Sequence, residues 1–365
     1  MVRCASPTPR GSTVNRTVRL AAVAVSGAAA CSVLAACGGD GAASGRPTLT
    51  VYSAQHESLV RTMLEGFTDE TGIELEFRDA NDSELANQIV QEGEASPADV
   101  FLTENSPAID VVDAAGLLAP LEQATLDQVG EQFRPSSGDW VGFAARATTL
   151  IHNPAEIPEA ELPASLLDLA DPAWEGRVAI AAGGADLQAI ASAARGLAGE
   201  EATRQWLAGR ARNAEIYASN TAIMKAVDEG EVPVGITYHY YWFRDQEQDG
   251  LVGDDAALHW FRNQDPGAFV SVSGAGVLAS SDQQEDAQRL VAWMTGRQAQ
   301  ERLAESSALE YAVGVGVDSA PVLPPLAELQ APEVDPGSLD QTVEHLCGQL
   351  GRMHSGEASV ALADG

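Results

Sequence analysis

From residue 47 onward the chain alternates short apolar runs with amphipathic stretches, and this alternation limits the fold more than any other feature. "LTVYSA" reads as a strand, "ESLVRTMLEGFTDETG" as a helix with Leu59, Met63 and Phe67 on one face, and "IELEFRD" as a strand. "SELANQIVQEG" is helical, "ADVFLTE" a strand, and "SPAIDVVDAAG" a helix with Ser106 as its cap, Pro107 in its first turn and Gly116 past its end. Repeated β-α-β units predict an α/β fold whose mostly parallel sheets are flanked by helices. Ligands of such sheets sit at the carboxyl ends of the strands, where His56 and Glu104 stand.

A second set of elements begins near "WVGFAARATTLIHN". "GRVAIAA" leads through Gly183 and Gly184 into a helix from Asp186, "TAIMKAVDEG" is helical, and "VPVGIT" is a strand. After "GAFVSVSGAGVLAS" comes the amphipathic helix "EDAQRLVAWMTGRQAQERLAES". At 365 residues the chain is long enough for two lobes. The expected partition is 47–145 with 271–321, and 146–270 with 322–352. The chain then crosses near 143–147 and 268–274, and a ligand cleft lies between the lobes. Residues 353–365 are expected to be a disordered tail.

The first 36 residues read as an export signal: Arg3, Arg10, Arg16 and Arg19 precede the apolar, alanine-rich "LAAVAVSGAAACSVLAA". Ser26, Cys31 and Ser32 make the same run a weak membrane span. It ends in "LAAC", which resembles the lipobox of bacterial lipoproteins and implies a lipid on Cys37, with residues 37–46 as a flexible tether. Export would then remove Cys4 and Cys31. Only Cys347 is left unlipidated, in the helically spaced "VEHLCGQL", so neither a disulfide framework nor a cysteine-based zinc site is expected. A net charge of -32, from 53 acidic and 21 basic residues, argues against nucleic acid or an anionic membrane as partner of the folded part.

In a chain only 5% aromatic, "GITYHYYWFRD" gathers Tyr238, Tyr240, Tyr241, Trp242 and Phe243 around one histidine. Along one strand Tyr240 and Tyr241 would point to opposite faces. If a helix begins near Tyr240 the two converge, and its N-terminus favours phenolate over phenol. A phenol, with a pKa of about 10, ionises at neutral pH only beside a strong cation. Two phenolates and Glu104 sum to the three negative charges that match Fe(III), a cation that prefers hard oxygen donors, and His56 adds a neutral nitrogen. The cluster also reads as core or lobe interface, His56 as a cap, and Glu104 as a solvated carboxylate; Trp242 and Phe243 are assigned to packing.

The motifs "VYSAQH", "PADVFLTE", "AGLLAPL", "GEVPVGITYHYYW" and "QDPGAFVSVSGAGVL", in this order from about residue 47 to about 330, resemble the ferric-ion-binding proteins of bacterial iron ABC transporters. The resemblance implies the two-lobe class II periplasmic-binding-protein fold. It also implies a metal site of His56, Glu104, Tyr240 and Tyr241, with Tyr238, where the family usually has asparagine, as an additional candidate phenolate. A small synergistic anion such as carbonate or phosphate is implied beside Arg146, Asn220, and the backbone N-H groups of Gly184 and Ala185. The family's Ser-Gly-Ala turn is "GGAD" here, and the final Asp186 would repel an anion.

The expected function follows from that resemblance. It is a monomeric, exported protein, lipid-anchored to the outer face of the cell membrane or periplasmic, that delivers Fe(III) to a membrane permease and its ATPase. The rivals are a binding protein of the same fold for a polyamine, sugar phosphate or oxyanion, and a secreted hydrolase. No Gly-x-Ser-x-Gly, His-Glu-x-x-His or Walker motif supports an enzyme.

Overall fold

The computed structural model of the chain describes residues 46–339 apart from Gly183 and Asp254. The export signal, Cys37 and nearly all of its tether, Cys347, and the tail at 353–365 lie outside the described residues. The strands are β1 (Thr48–Ser53), β2 (Glu74–Asp79), β3 (Val100–Leu102), β4 (Leu118–Ala119), β5 (Trp140–His152), β6 (Val178–Ile180), β7 (Ala214–Ile216), β8 (Val234–Tyr238), β9 (Ala257–His259) and β10 (Val270–Leu278). They join in the order β2-β1-β3-β10-β5-β8-β6-β7, with β4 on β10 and β9 on β5. β1 is parallel to β2 and β3, and β6 is parallel to β7 and β8, as helical crossovers require. β10 runs antiparallel to β3 and β5, and β5 antiparallel to β8.

β5 explains how two sheet halves arise from one strand. Its first part, Trp140–Ala147, pairs with β10, and its second part, Thr148–His152, pairs with β8. Every residue of β5 is buried. β10 shifts register between Ser273 and Gly274, a bulge beside the crossing. One core surrounds the first half through Leu49, Val51, Phe101, Trp140, Val277 and Leu290. A second surrounds the other through Leu150, Leu166, Ile190, Trp206 and Ile236. Each large apolar side chain so buried contributes about 1.5–3 kcal/mol. Phe243, Leu323 and Leu329 pack in the first core, although their residue numbers fall in the expected second lobe.

Six helices position the site: α1 (Glu57–Met63), α2 (Asp82–Glu92), α3 (Ser106–Ala114), α4 (Ala185–Ala198), α5 (Asn220–Asp228) and α6 (His239–Arg244). α1 buries Leu59, Val60 and Met63 against the first sheet half. The cap of α3 is Asn105 rather than the expected Ser106, which is fully buried inside the first turn.

Candidate metal centre

Each candidate ligand stands just past the end of a strand. His56 follows β1 as the N-cap of α1, and Gln55 holds the turn: its Oε1 accepts from His56 N at 2.7 Å and its Nε2 donates to Ser273 Oγ at 2.8 Å. Glu104 follows β3. Its N-H and that of Asn105 donate to the two carboxylate oxygens of Asp82 in the first turn of α2, at 2.9 and 3.0 Å. β8 ends at Tyr238 and α6 starts at His239, so Tyr240 and Tyr241 lie on a helix. Their rings stack with centroids 4.1 Å apart, the convergence that a continuous strand forbids.

His56, Glu104 and Tyr240 meet directly. His56 Nε2 is 3.2 Å from Tyr240 Oη and 3.4 Å from Glu104 Oε1, and Tyr240 Oη donates to Glu104 Oε1 at 3.3 Å. In an octahedral cage with bonds of about 2 Å, neighbouring donors lie about 3 Å apart, so these spacings suit a small hard cation. Tyr241 and Glu104 line a cavity of about 410 Å³ together with Gly184, Ala185, Asp186, Tyr217 and Asn220. Among the described residues no group of three or more His, Cys, Asp or Glu is placed to hold a metal.

The charges around the centre are unevenly balanced. Burial raises Glu104, but the His56 hydrogen bond and the Arg146 guanidinium outweigh it and hold the carboxyl below its ordinary range. The Glu104 hydrogen bond in turn raises His56. Burial, and then each phenol's charged or phenolic neighbours, raise Tyr240 and Tyr241 above the ordinary phenol range, so both carry protons without a metal. Burial and then the Glu104 charge push Asp82 up to about 8.

The Tyr238 hydroxyl is hydrogen-bonded to groups outside the cluster of His56, Glu104 and Tyr240. Tyr238 is the last residue of β8 and fully buried, and its hydroxyl donates to Asn105 Oδ1 at 3.3 Å and to the Asp186 carbonyl at 3.4 Å. It supports the loop after β3 and the start of α4, and it does not line the cavity. Arg146 is fully buried, with Nη1 3.2 Å from Glu104 Oε1 and Nη2 2.7 Å from Glu310 Oε2. Asn220 Nδ2 donates to Asp186 Oδ2 at 2.8 Å, and the Gly184 N-H donates to the Ala181 carbonyl at 3.1 Å.

Asp186 lines the same cavity as Gly184, Ala185 and Asn220, the groups expected beside an anion. In the first turn of α4, its carboxylate accepts from Asn220, from Asn105 Nδ2 at 3.2 Å and from Tyr241 Oη at 3.3 Å. Negative charge at a helix N-terminus is favoured by the helix dipole, while burial and then the nearby Glu104 push Asp186 up to about 7. In the sequence Asp186 is legible only as an obstacle to an anion. Asp82, Asn105 and Glu310 carry no sequence signal, since their roles depend on contacts between distant segments.

A family model described as "Bacterial extracellular solute-binding protein" matches residues 95–335. The chain is 54% identical over 299 residues to the Fe(3+)-binding periplasmic protein of Serratia marcescens, covering 82% of this chain and 88% of that one. It is 35% identical over 289 residues to the major ferric iron-binding protein of Neisseria gonorrhoeae, covering 78% and 87%. The crystal structure of iron-bound HitA from Pseudomonas aeruginosa superposes with a TM-score of 0.77 at 39% identity, covering 84% of this chain and 99% of that one.

Proposed function

The chain belongs to the bacterial extracellular solute-binding protein family, and from that premise we propose that it captures ferric iron in its cleft and delivers it to an ABC importer. The observation that carries the reading is the meeting of His56, Glu104 and Tyr240 within 3.4 Å, with Tyr241 stacked on Tyr240. The relatives in Serratia, Neisseria and Pseudomonas, whose names state ferric binding or whose structure holds iron, support it. They are binding proteins of uptake systems, not enzymes.

In this reading Tyr240 and Tyr241 ionise as the cation enters, Glu104 supplies a carboxylate, and neutral His56 supplies nitrogen. An exogenous carbonate or phosphate beside Asn220 and Gly184 has to compete with Asp186, which already accepts from Asn220 and lines the same cavity. Iron binding shifts an open-closed equilibrium of the lobes, and the closed, loaded form docks on the permease and its ATPase. Export with lipidation of Cys37 would keep a monomeric protein at the outer face of the membrane.

Titrating the mature protein with iron and recording the phenolate-to-iron charge-transfer absorbance tests this reading. The parent should colour on loading, and Tyr241→Phe should lose much of the band and bind at least about tenfold more weakly. A variant that loads and colours like the parent removes Tyr241 from the ligand set, and a parent that binds no iron removes the function.

A further inference from the structure

The histidine at the centre of "GITYHYYWFRD" has no part in the ligand set, yet it stands directly before the two candidate phenols. His239 is fully buried and is the first residue of α6. Its ring stacks on Tyr311, with centroids 4.7 Å apart and planes at 29°, and meets the Tyr240 ring edge-on at 6.3 Å. Tyr311 in turn exchanges two backbone hydrogen bonds with Ala145 of β5, at 2.8 and 3.0 Å. Close packing on both sides fixes the orientation of the imidazole.

That orientation aims Nδ1 at the main chain of β5, where it accepts from the Ala147 N-H at 3.1 Å. The proton of the neutral ring is then on Nε2. The register of the sheet shows what this bond replaces. The last pair of β5 with β8 is Thr148 with Tyr238, so the next rung of the ladder would join Ala147 to His239. Successive N-H groups of a strand face opposite edges. That of Thr148 donates to the Phe269 carbonyl at 2.9 Å, towards β10, which leaves that of Ala147 facing the edge that β8 vacates. A buried backbone donor at that edge needs an acceptor. A continuing strand would offer a carbonyl; here the side chain of His239 accepts instead, and its main chain is released to begin α6. Ala147 is also the residue at which the pairing of β5 with β10 ends, opposite Val270, so the bond lies where β5 passes from one sheet half to the other.

We propose that His239 is the positioning residue for iron capture: its ring completes the ladder in place of the backbone, ends β8 before the phenols, and sets Tyr240 and Tyr241 on one helical turn. It acts through the two phenols and is not itself a ligand. The bond anchors the phenol-bearing helix to the crossing segment of β5, which keeps Tyr240 in register with His56 and Glu104. The proposal rests on the ferric reading above.

The test compares the parent with His239→Asn and His239→Leu. The two replacements have nearly the same shape and both lack the ring, but asparagine carries an oxygen where Nδ1 stands and can still accept from Ala147, whereas leucine cannot. The melting temperature of each apo protein is measured first. Each is then loaded from ferric nitrilotriacetate, and the charge-transfer absorbance per bound iron and the half-life of bound iron against a fixed excess of chelator are recorded. His239→Asn should keep the band and the half-life of the parent. His239→Leu should lose much of the band and release iron about tenfold faster or more. If His239→Leu does not fold, His239→Phe, which fills the place of the ring without an acceptor, carries the same expectation. If neither folds, His239→Asn decides alone, since it keeps the acceptor and not the stacked ring. The proposal is overturned by a leucine or phenylalanine variant that keeps the parent's band per bound iron, however far its melting temperature falls, or by an asparagine variant that loses it. A parent that takes up no coloured iron overturns the ferric reading, and this proposal with it.

Discussion

A buried phenol is in the wrong protonation state for a trivalent cation, so capture has to move protons as well as iron. Burial keeps Tyr240 and Tyr241 above the ordinary phenol range, so both bring a proton to the binding reaction at neutral pH. Glu104, held below its range once His56 and Arg146 outweigh burial, brings none, while Asp186, at about 7, and His56, raised by its Glu104 hydrogen bond, each add a fraction. The sign follows directly: loading releases protons, so acid opposes it. At pH 7 each ferric ion should displace about two to three protons, and affinity should fall at least about a hundredfold per unit of acidification. Proton release on iron transfer, followed in weak buffer, checks this, and a release below one proton removes the phenolates from the site. The four ligand candidates were legible in the sequence because each follows a recognisable strand end. The pairing of Glu310 with Arg146 was not, because Glu310 lies outside any periodic element and only the bridge between Tyr311 and Ala145 brings it there.

Among the elements, the strands β5 and β10 carry the connection between the two sheet halves, in apolar runs that the sequence shows near the expected crossings at 143–147 and 268–274. What the runs did not show is how closely the two strands approach. A Cβ on Gly142 would overlap Val272 Cγ1 and lie 2.7 Å from the Phe133 carbonyl, both held by surrounding core. Gly142→Ala should therefore destabilise the fold by about 1–3 kcal/mol through overpacking. Gly196, inside α4, provides the contrast: a Cβ there meets nothing within 4 Å, and its φ is not in the left-handed range. Gly196→Ala should stabilise by about 0.5–1 kcal/mol, because alanine loses less backbone entropy in a helix. Denaturant melts of both variants should move in opposite directions; a neutral Gly142→Ala would mean that the strands can part without cost. The expected division at 321/322 missed the packing of Leu323 and Leu329 on the first core, since an irregular segment has no period from which its side can be read.

For the whole molecule, the acidic excess acts on folding as well as on solubility. A net charge of -32 repels itself in any compact state, and the fold adds carboxyls it cannot solvate. Burial pushes Asp82 up to about 8 and, with the repulsion of Asp113 and Asp335, Asp110 up to about 9. Both groups keep a proton in the folded chain that the unfolded chain has already lost near pH 4. Their stabilising protons are fully present at low pH and are lost as pH rises through 8 and 9. The opposite tendency comes from His239, which burial lowers to about 3, so that below about pH 6.5 the unfolded chain gains a proton the fold refuses. Two raised carboxyls outweigh one lowered histidine, so these groups should make the apo protein lose stability as pH rises from about 4, with on the order of 3 kcal/mol of that loss between pH 7 and pH 9. Asp110→Asn keeps an acceptor for the Leu339 N-H, now met at 3.2 Å by Asp110 Oδ2, while removing the titration. Its melting temperature should match the parent's more closely at pH 7 than at pH 9, where the variant should be the more stable protein. Parallel parent and variant curves across that range would show that Asp110 loses its proton well below pH 7. The alkaline loss of stability would then have to come from the surface charge alone, and added salt, which screens surface charges but barely reaches a buried carboxyl, would flatten it.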